Sequence, residues 1–408
     1  MINAYDVLKE RGFVSQVTDE GAVRKAFDEG PVTCYIGFDP TADTLHVGNL
    51  VSIMILSHLQ QCGHKPIALI GVGTASIGDP SGKTELRQML TREQLEENAK
   101  GIKATLSRYL DFDNGNAQVV NNADWLFNLQ YIDFLREVGR HFSVNRMLSA
   151  EAYKIRMETG LTFLEFNYQI LQSYDFLMLS RNHGCAMQMG GDDQWGNILA
   201  GVELIRRMDG NSAEAVTTPL VTNASGEKMG KTASGALWLN ADRVSPYDYY
   251  QYWVNTDDRD VEKWLATFTF LPMEEVRKLS SLEGADLREA KSVLAFEATK
   301  ITHGEEEAQK ARDAAKSVFG GGSDRNDLPS SEIQTAVLAG GIGGIDLFMQ
   351  AGLGSSKGEV RRLIQQGGAS VNGNRVDGIH AILTSDDLVD HALLLRAGKK
   401  RYHRVVVV

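Results

Sequence analysis

The segment Pro40–Leu50 reads PTADTLHVGNL, and the segment Lys228–Thr232 reads KMGKT. His46, Gly48 and Asn49 in the first, and Lys228, Lys231 and Thr232 in the second, are residue types suited to a polyphosphate. Glycine at 48 lets a flat ring approach the backbone. A histidine and an asparagine in the first turn of a helix share it with free N–H groups and the positive dipole end, which attract phosphate. Two lysines three apart, in a loop flanked by Gly226 and Gly230, are mobile cations suited to a triphosphate. Singly, each segment has an ordinary reading: a histidine opening a helix is most often a cap, and a lysine loop is most often solvated. Both in this order point to nucleotide chemistry. Two phosphate-loop look-alikes, Gly78–Thr84 and Gly226–Thr232, place three residues before Gly-Lys-Thr where the GxxxxGK[ST] loop needs four, which excludes that reading.

The elements that must position these residues alternate. Val32–Phe38 is a β-rich run, His46–Gln61 an amphipathic helix ending at Gly63, and Pro66–Gly73 a second buried strand. That is a βαβ unit, implying a parallel sheet with a right-handed crossover. Ligands of such sheets bind beyond the carboxyl ends of the strands, where Asp39, Thr41 and Asp79 fall. Ala186–Gly191, leading into a helix from about Asn197 to Met208, adds a further βα step. From about Ser245 to Lys316 the pattern is helical, and Gly320–Ser331 reads as a linker. In the last stretch Ser355 or Ser356 caps a helix carrying Lys357, Arg361 and Arg362; Gly367 and Gly368 end it, and a strand begins at Ala369.

At 408 residues, 43% hydrophobic and 23% charged, the chain has room for two or three domains of ordinary globular composition. No apolar run approaches the roughly 20 residues of a membrane span, and MINAYDVLKERG does not read as a signal peptide. A cytoplasmic protein without membrane contact is expected. Cys34, Cys62 and Cys185 form neither a CxxC pair nor a zinc spacing, so core thiols and no metal site are expected. The net charge of −11 argues against a binder of nucleic acid over its whole surface. From Gly341 onward nine Lys or Arg face six Asp or Glu, which is +3, leaving −11 − 3 = −14 for the first 340 residues. A polyanion contact is therefore expected at the end of the chain.

The two phosphate-type segments resemble the HIGH and KMSKS motifs of class I aminoacyl-tRNA synthetases. Asn49 stands where that family has its second histidine, and Gly230 where it has the serine. Asparagine still donates a hydrogen bond but carries no charge. Leu164–Asp175, LEFNYQILQSYD, puts Tyr168, Gln172 and Asp175 on one helix face among Phe166, Ile170, Leu171 and Phe176. A polar stripe on a largely buried helix needs partners or a ligand. With Gln188 and Gly190–Asn197 (GGDDQWGN) it resembles the tyrosine pocket of tyrosyl-tRNA synthetases. Gly354–Val376 resembles the small RNA-binding domain shared by a ribosomal small-subunit protein, pseudouridine synthases and bacterial tyrosyl-tRNA synthetases. The resemblance covers nearly the whole chain.

That resemblance implies an α/β fold: a Rossmann-like parallel-sheet catalytic domain followed by a helical domain and a small α+β RNA-binding domain. The expected boundaries are 1–220 for the catalytic domain with an inserted dimerisation region, 221–319 for the KMSKS loop and helical domain, 320–340 for the linker and 341–408 for the RNA-binding domain. It implies activation of L-tyrosine with ATP to tyrosyl-adenylate and pyrophosphate, then transfer of tyrosine to the 3′ end of tRNA(Tyr). MgATP would be a co-substrate, no cofactor would be tightly bound, and the enzyme would be a homodimer. Tyr35 and Asp175 would bond the phenol; Asp79, Tyr168 and Gln172 would hold the ammonium, with Gln188 orienting them and Asp39 and Gln194 near the carboxylate. Gly37, Asp39, Thr41, His46, Gly48, Asn49, Gly191, Asp193, Lys228 and Lys231 would meet ATP. His46, Asn49, Thr41, Lys228, Lys231 and Thr232 would act on its phosphates, Ser52 lying one helical turn beyond, and Lys357, Arg361 and Arg362 would meet tRNA. Such chemistry needs no protein nucleophile, only positioning and charge stabilisation.

Two other readings share some of these features. Tryptophanyl-tRNA synthetases have the same fold and motifs, but the Tyr35/Asp175 pair and the C-terminal segment suit tyrosine. A catalytically silent relative, acting only as an RNA-binding module, is disfavoured by intact His46, Lys228 and Lys231. The apolar run Trp125–Leu148 could be a dimer face or internal packing.

Overall fold

The computed structural model describes residues 3–81, 89–227, 229, 231, 232, 235–320, 328–354, 356–389, 391–398 and 401–408. The chain divides into two compact units. One comprises Met1–Lys231, Ala236–Asn240 and Arg259–Ser281; the other comprises Thr232–Gly235, Ala241–Asp258 and Leu282–Val408.

The first unit is built on five parallel strands: β1 (Thr33–Phe38), β2 (Lys65–Ile70), β3 (Gln118–Asn121), β4 (Cys185–Gly191) and β5 (Glu214–Thr218), in the order β3-β2-β1-β4-β5. Strands covered on both faces read as continuous apolar runs, as five of the six residues of β2 do. The chain leaves β1 toward β2 on one side and returns to β4 on the other, so the crevice between β1 and β4 is the point where strand order reverses. Their register sets Tyr35 beside Gln188. Both expected strands of the opening βαβ unit are present, but β2 stops at Ile70. There the Gly71 amide bonds Phe38 O at 2.9 Å and the Gly73 amide bonds Asn122 Oδ1 at 2.7 Å, turning the chain into the short helix Val72–Ala75.

Helix α1 (Val47–Gln61) buries Leu50, Val51, Ile53, Met54 and Leu56 against the sheet, with His46 as its N-cap. Helix α2 (Arg92–Leu106) opens with a Thr91/Gln94 capping box. Helices α3 (Glu151–Thr159) and α4 (Phe163–Phe166) lead into α5 (Tyr168–His183), which ends at Gly184 in the left-handed conformation. A buried ion pair, Arg156 to Glu165 at 3.0 Å, fixes the corner that delivers Tyr168. Helix α6 (Trp195–Asp209) begins two residues earlier than the periodicity suggested.

In the second unit, α7 (Pro246–Val254), α8 (Leu287–His303) and α9 (Glu305–Gly320) pack around Tyr249, Tyr250 and Trp253. A second sheet contains β6 (Ser330–Ile333), β7 (Ala369–Val371), β8 (Asn374–Arg375), β9 (Ala392–Ala397) and β10 (Arg401–Val407), in the order β8-β7-β9-β10-β6. Its core includes Leu338, Phe348, Val360, Leu393 and Leu395. Strand β6 lies within the stretch read as linker, yet pairs in parallel with β10. Helix α10 (Lys357–Gln365) is capped by Ser356, whose side chain accepts from Glu359 N. Val360 and Ile364 face the core while Lys357, Arg361 and Arg362 are exposed. Among the described residues no helix is long and apolar enough to cross a membrane.

Candidate functional site

A cavity of about 350 Å³ opens at the carboxyl ends of β1 and β4, the crevice where the strand order reverses. Of the expected site residues, Tyr35, Gly37, Asp39, Thr41, His46, Asn49, Asp79, Tyr168, Gln172, Asp175, Gln188, Gly191 and Gln194 line it, with Ser52. Gly48 and Asp193 are immediate neighbours of lining residues rather than lining residues themselves. Lys228 lies outside the described residues, as does Ser355; Lys231 and Thr232 appear as a short backbone strand. Lys357, Arg361 and Arg362 belong to the other unit, where Lys357 forms an exposed ion pair with Asp346 at 2.7 Å.

The closed end of the cavity is a buried acid facing a buried hydroxyl. Asp175 accepts from Asn122 Nδ2 at 2.9 Å and from Trp125 Nε1 at 2.7 Å. Burial pushes its carboxyl up to about 8, against the pull of those two donors and with the charge of Asp39 adding to the rise. Tyr35 is 1% exposed, stacks at a tilt on Phe176 with ring centroids 5.3 Å apart, and its hydroxyl has no hydrogen-bond partner among the described residues. A buried hydroxyl without a partner is uncommon in a native protein and asks for an explanation. An acceptor and a donor at the end of an aromatic-walled slot suit a ligand hydroxyl that donates to one and accepts from the other.

A polar chain leads from there toward the mouth. Asn122 Nδ2 also reaches Thr74 Oγ1 at 3.0 Å, Thr74 donates to Asp39 Oδ1 at 2.9 Å, and Tyr168 donates to Asp39 Oδ2 at 3.2 Å. Gly71 is required beside it, since a Cβ there would lie 2.2 Å from Asp39 Oδ1. Asp79 takes Gln194 Nε2 at 2.7 Å and the Ser81 amide at 2.9 Å. Two carboxylates in a wall of amides and hydroxyls can hold a cationic group.

At the mouth His46 caps α1. Its Nδ1 accepts from the Gly48 amide at 3.0 Å, while Asn49 Oδ1 accepts from the His46 amide at 3.1 Å. With Nδ1 an acceptor, the neutral ring carries its proton on Nε2. Burial holds its pKa below the ordinary value, favouring that neutral form. The flat ring that lies against Gly48 is the His46 imidazole: a Cβ at 48 would sit 2.7 Å from its Cε1. The Met229 carbonyl lies 3.5 Å from the same point, so the described part of KMGKT adjoins the start of α1. The strap Leu237–Leu239 is tied there too. Val47 N bonds Leu237 O and Leu239 N bonds Leu45 O, both at 2.9 Å, with Trp238 edge-on to His46 at 5.9 Å. Arg108 holds the strap through Leu239 O at 3.0 Å. Asp193 flanks the wall at Gly191, where a Cβ would meet its Oδ1 at 2.7 Å.

Thr74, Asn122, Trp125, Ser81 and Trp238 escaped the sequence reading as site residues, and Asn197 entered it only as the end of the GGDDQWGN segment and the start of a helix, without a role. Asn122 follows β3 directly, so recognising that strand would have placed it at a carboxyl end, where ligands bind. Part of the run Trp125–Leu148 packs internally and part is exposed. Val138 and Met147 are buried, with Phe134 and Phe142 packed on the core, whereas Phe127, Tyr131, Ile132 and Val144 are exposed.

Family models match in two parts: "tRNA synthetases class I (W and Y)" over residues 28–320 and "Tyrosine--tRNA ligase SYY-like C-terminal domain" over residues 324–405. The tyrosine–tRNA ligase of Clostridium tetani is 53% identical over 405 residues, 99% of each chain. That of Clostridium beijerinckii is 54% identical over 407 residues, 100% of each chain. The chain belongs to the tyrosine–tRNA ligases. Tyrosine–tRNA ligation is accordingly its activity. The ligase fold also matches a C-terminally truncated mitochondrial tyrosyl-tRNA synthetase of Aspergillus nidulans (TM-score 0.71, 30% identity, 78% of this chain and 95% of that one). A tryptophanyl-tRNA synthetase of Encephalitozoon cuniculi shares the fold alone (TM-score 0.57, 13% identity, 75% of this chain and 87% of that one).

Proposed function

We propose that the ligase binds L-tyrosine with its phenol between Tyr35 and Asp175, its ammonium against Asp79, Tyr168 and Gln172, and its carboxylate toward His46. The unpartnered Tyr35 hydroxyl opposite Asp175 carries this reading, because a phenol satisfies both groups at once. The carboxylate attacks the α-phosphate of MgATP in line, pyrophosphate leaves, and tyrosyl-adenylate stays in the cavity. The terminal ribose of tRNA(Tyr) then takes the tyrosyl group. No side chain is acylated, so the protein contributes position and charge. Neutral His46 donates Nε2–H to the phosphate oxygens. Asn49, its Oδ1 engaged by the His46 amide, donates Nδ2–H. Thr41, Lys228, Lys231 and Thr232 complete the phosphate contacts, and Gly37, Asp39, Gly48, Gly191 and Asp193 meet the rest of the nucleotide. Donors aimed where charge develops stabilise the transition state more than the ground state.

The exposed cations Lys357, Arg361 and Arg362 of α10 meet tRNA phosphates. The domain assignment proposed is a catalytic domain to about residue 220, a helical domain to 319, and an RNA-binding domain at the C-terminal end. The exposed Phe127, Tyr131 and Ile132 form part of a homodimer face, and the enzyme works in the cytoplasm. The decisive experiment is ATP–pyrophosphate exchange with each amino acid. Exchange that depends on tyrosine, and not on tryptophan, is expected; its absence would overturn the assignment of the cavity.

A further inference from the structure

We propose that Asn197 is the positioning residue that assembles the ammonium site. The inference rests on the reading that Asp79, Tyr168 and Gln172 receive the ammonium of tyrosine. Asn197, the third residue of α6, is 5% exposed and does not line the cavity. Its Nδ2 lies 3.2 Å from Gln172 Oε1 on α5, 3.2 Å from Gln194 Oε1 in the turn before α6, and 3.4 Å from Ser81 Oγ. One amide nitrogen thus joins three separate segments, each of which adjoins or supplies the cluster.

The consequence lies in which end of each glutamine faces the ligand. An amide NH2 only donates, so each glutamine beside it must turn its carbonyl oxygen, not its own NH2, toward it. Gln194, with Oε1 held by Asn197, must present Nε2 to Asp79, where it donates at 2.7 Å. Turned over, it would set a carbonyl oxygen against the Asp79 carboxylate. Gln172 is fixed likewise, Oε1 inward toward Asn197, and the second lone pair of that oxygen remains for an ammonium hydrogen. Ser81, the third acceptor, donates its own amide to Asp79 Oδ1 at 2.9 Å. Asn197 therefore fixes the polarity of the cluster without touching the substrate.

The test separates the ammonium from the rest of tyrosine. Tyramine keeps the phenol and the ammonium; 3-(4-hydroxyphenyl)propanoate keeps the phenol and the carboxylate. Inhibition constants of both are measured against tyrosine in ATP–pyrophosphate exchange, for wild type, Asn197→Leu (equal branching, no amide) and the milder Asn197→Ser. Tyramine and tyrosine should weaken by roughly tenfold in Asn197→Leu, and less in Asn197→Ser, as for loss of one or two uncharged hydrogen bonds. The propanoate should change by less than about twofold. Equal weakening of both analogues would mean a purely structural role, and no weakening of either would mean none; both overturn the inference. If Asn197→Leu does not fold, Asn197→Ser decides by the same selectivity. A wild type that binds tyramine no better than 4-methylphenol would instead sink the underlying placement of the ammonium.

Discussion

Phenylalanine differs from tyrosine by the one hydroxyl that, in the proposed site, meets Tyr35 and Asp175. When phenylalanine enters, the Tyr35 hydroxyl keeps no partner and Asp175 keeps only Asn122 and Trp125. Tyr35→Phe removes an uncharged partner, which should lower kcat/KM for tyrosine by about 0.5–1.5 kcal/mol, or roughly 2- to 13-fold. For phenylalanine the same change removes a desolvated hydroxyl and should leave kcat/KM level or raised. The tyrosine-to-phenylalanine ratio should therefore fall by at least the tyrosine loss. Asp175→Asn acts more strongly. Its two oxygens both accept from protein donors, so an amide must turn its NH2 toward Asn122 or Trp125 and lose that bond. A hydrogen bond to a charged group contributes about 1.5–3 kcal/mol, so roughly 10- to 150-fold is expected for tyrosine. Steady-state exchange with each amino acid measures the ratio. An unchanged ratio in Tyr35→Phe would refute the placement of the phenol.

The carboxyl of Asp175, pushed up to about 8 from an ordinary 3.8, keeps its proton at neutral pH in the empty protein. A phenol donating to it favours the ionised form. Tyrosine binding should thus release a proton near pH 7, with affinity rising toward about pH 8 and levelling above, and phenylalanine should show neither effect. Calorimetry in buffers of different ionisation enthalpy counts the protons, and none released would contradict this. The same raised carboxyl destabilises the fold as pH rises from about 4 toward 8, because the unfolded chain sheds that proton first; unfolding of Asp175→Asn should lack that slope. His46→Ala and Lys231→Ala should each lower adenylate formation by roughly 10²-fold or more in stopped flow, with tyrosine affinity unchanged. Rates within a few-fold of wild type would remove both from the phosphate site. Removing residues 321–408, a cut that keeps β6 with its sheet, should spare exchange but weaken aminoacylation and flatten the salt dependence of tRNA binding. Unaltered aminoacylation would reduce α10 to a solvated face.

Residues that sit near one another along the chain were legible. His46, Gly48 and Asn49 fall within four positions, and Tyr168, Gln172 and Asp175 repeat at helical spacing, so periodicity alone put each set on one surface. What sequence could not supply was the second partner of each acid. Thr74, Asn122 and Trp125 come after β2 and β3 as isolated polar or aromatic residues, and β3 is only four residues long, too short for alternation to mark. The strand β6 reads as a polar loop because its partner β10 comes some seventy residues later. Residues 259–281 share the helical pattern of residues 282–316, yet they join the first unit. There the Arg11 guanidinium takes Ala266 O at 2.9 Å and Thr269 O at 3.0 Å, a contact across more than 250 positions.

The orientation proposed for tyrosine rests on this division of labour. Asp175 has both oxygens occupied by rigid donors at the closed end, so it has capacity left for one more donor and little freedom to move. Asp39 is fixed from both sides by Thr74 and Tyr168, and Asp79 by Gln194 and the Ser81 amide. A ligand inserted the other way would set its carboxylate against the Asp175 carboxyl, where like charges repel, and its phenol against the open mouth. In the orientation proposed, phenol first, the ammonium meets Asp79 and the reactive oxygen lies on the side of the His46 Nε2–H. Specificity and reaction geometry are then set by one choice, the hydroxyl at the closed end. An amino acid that fails to satisfy Tyr35 and Asp175 also fails to hold its carboxylate in line with the phosphate, so discrimination should appear in kcat as well as in KM.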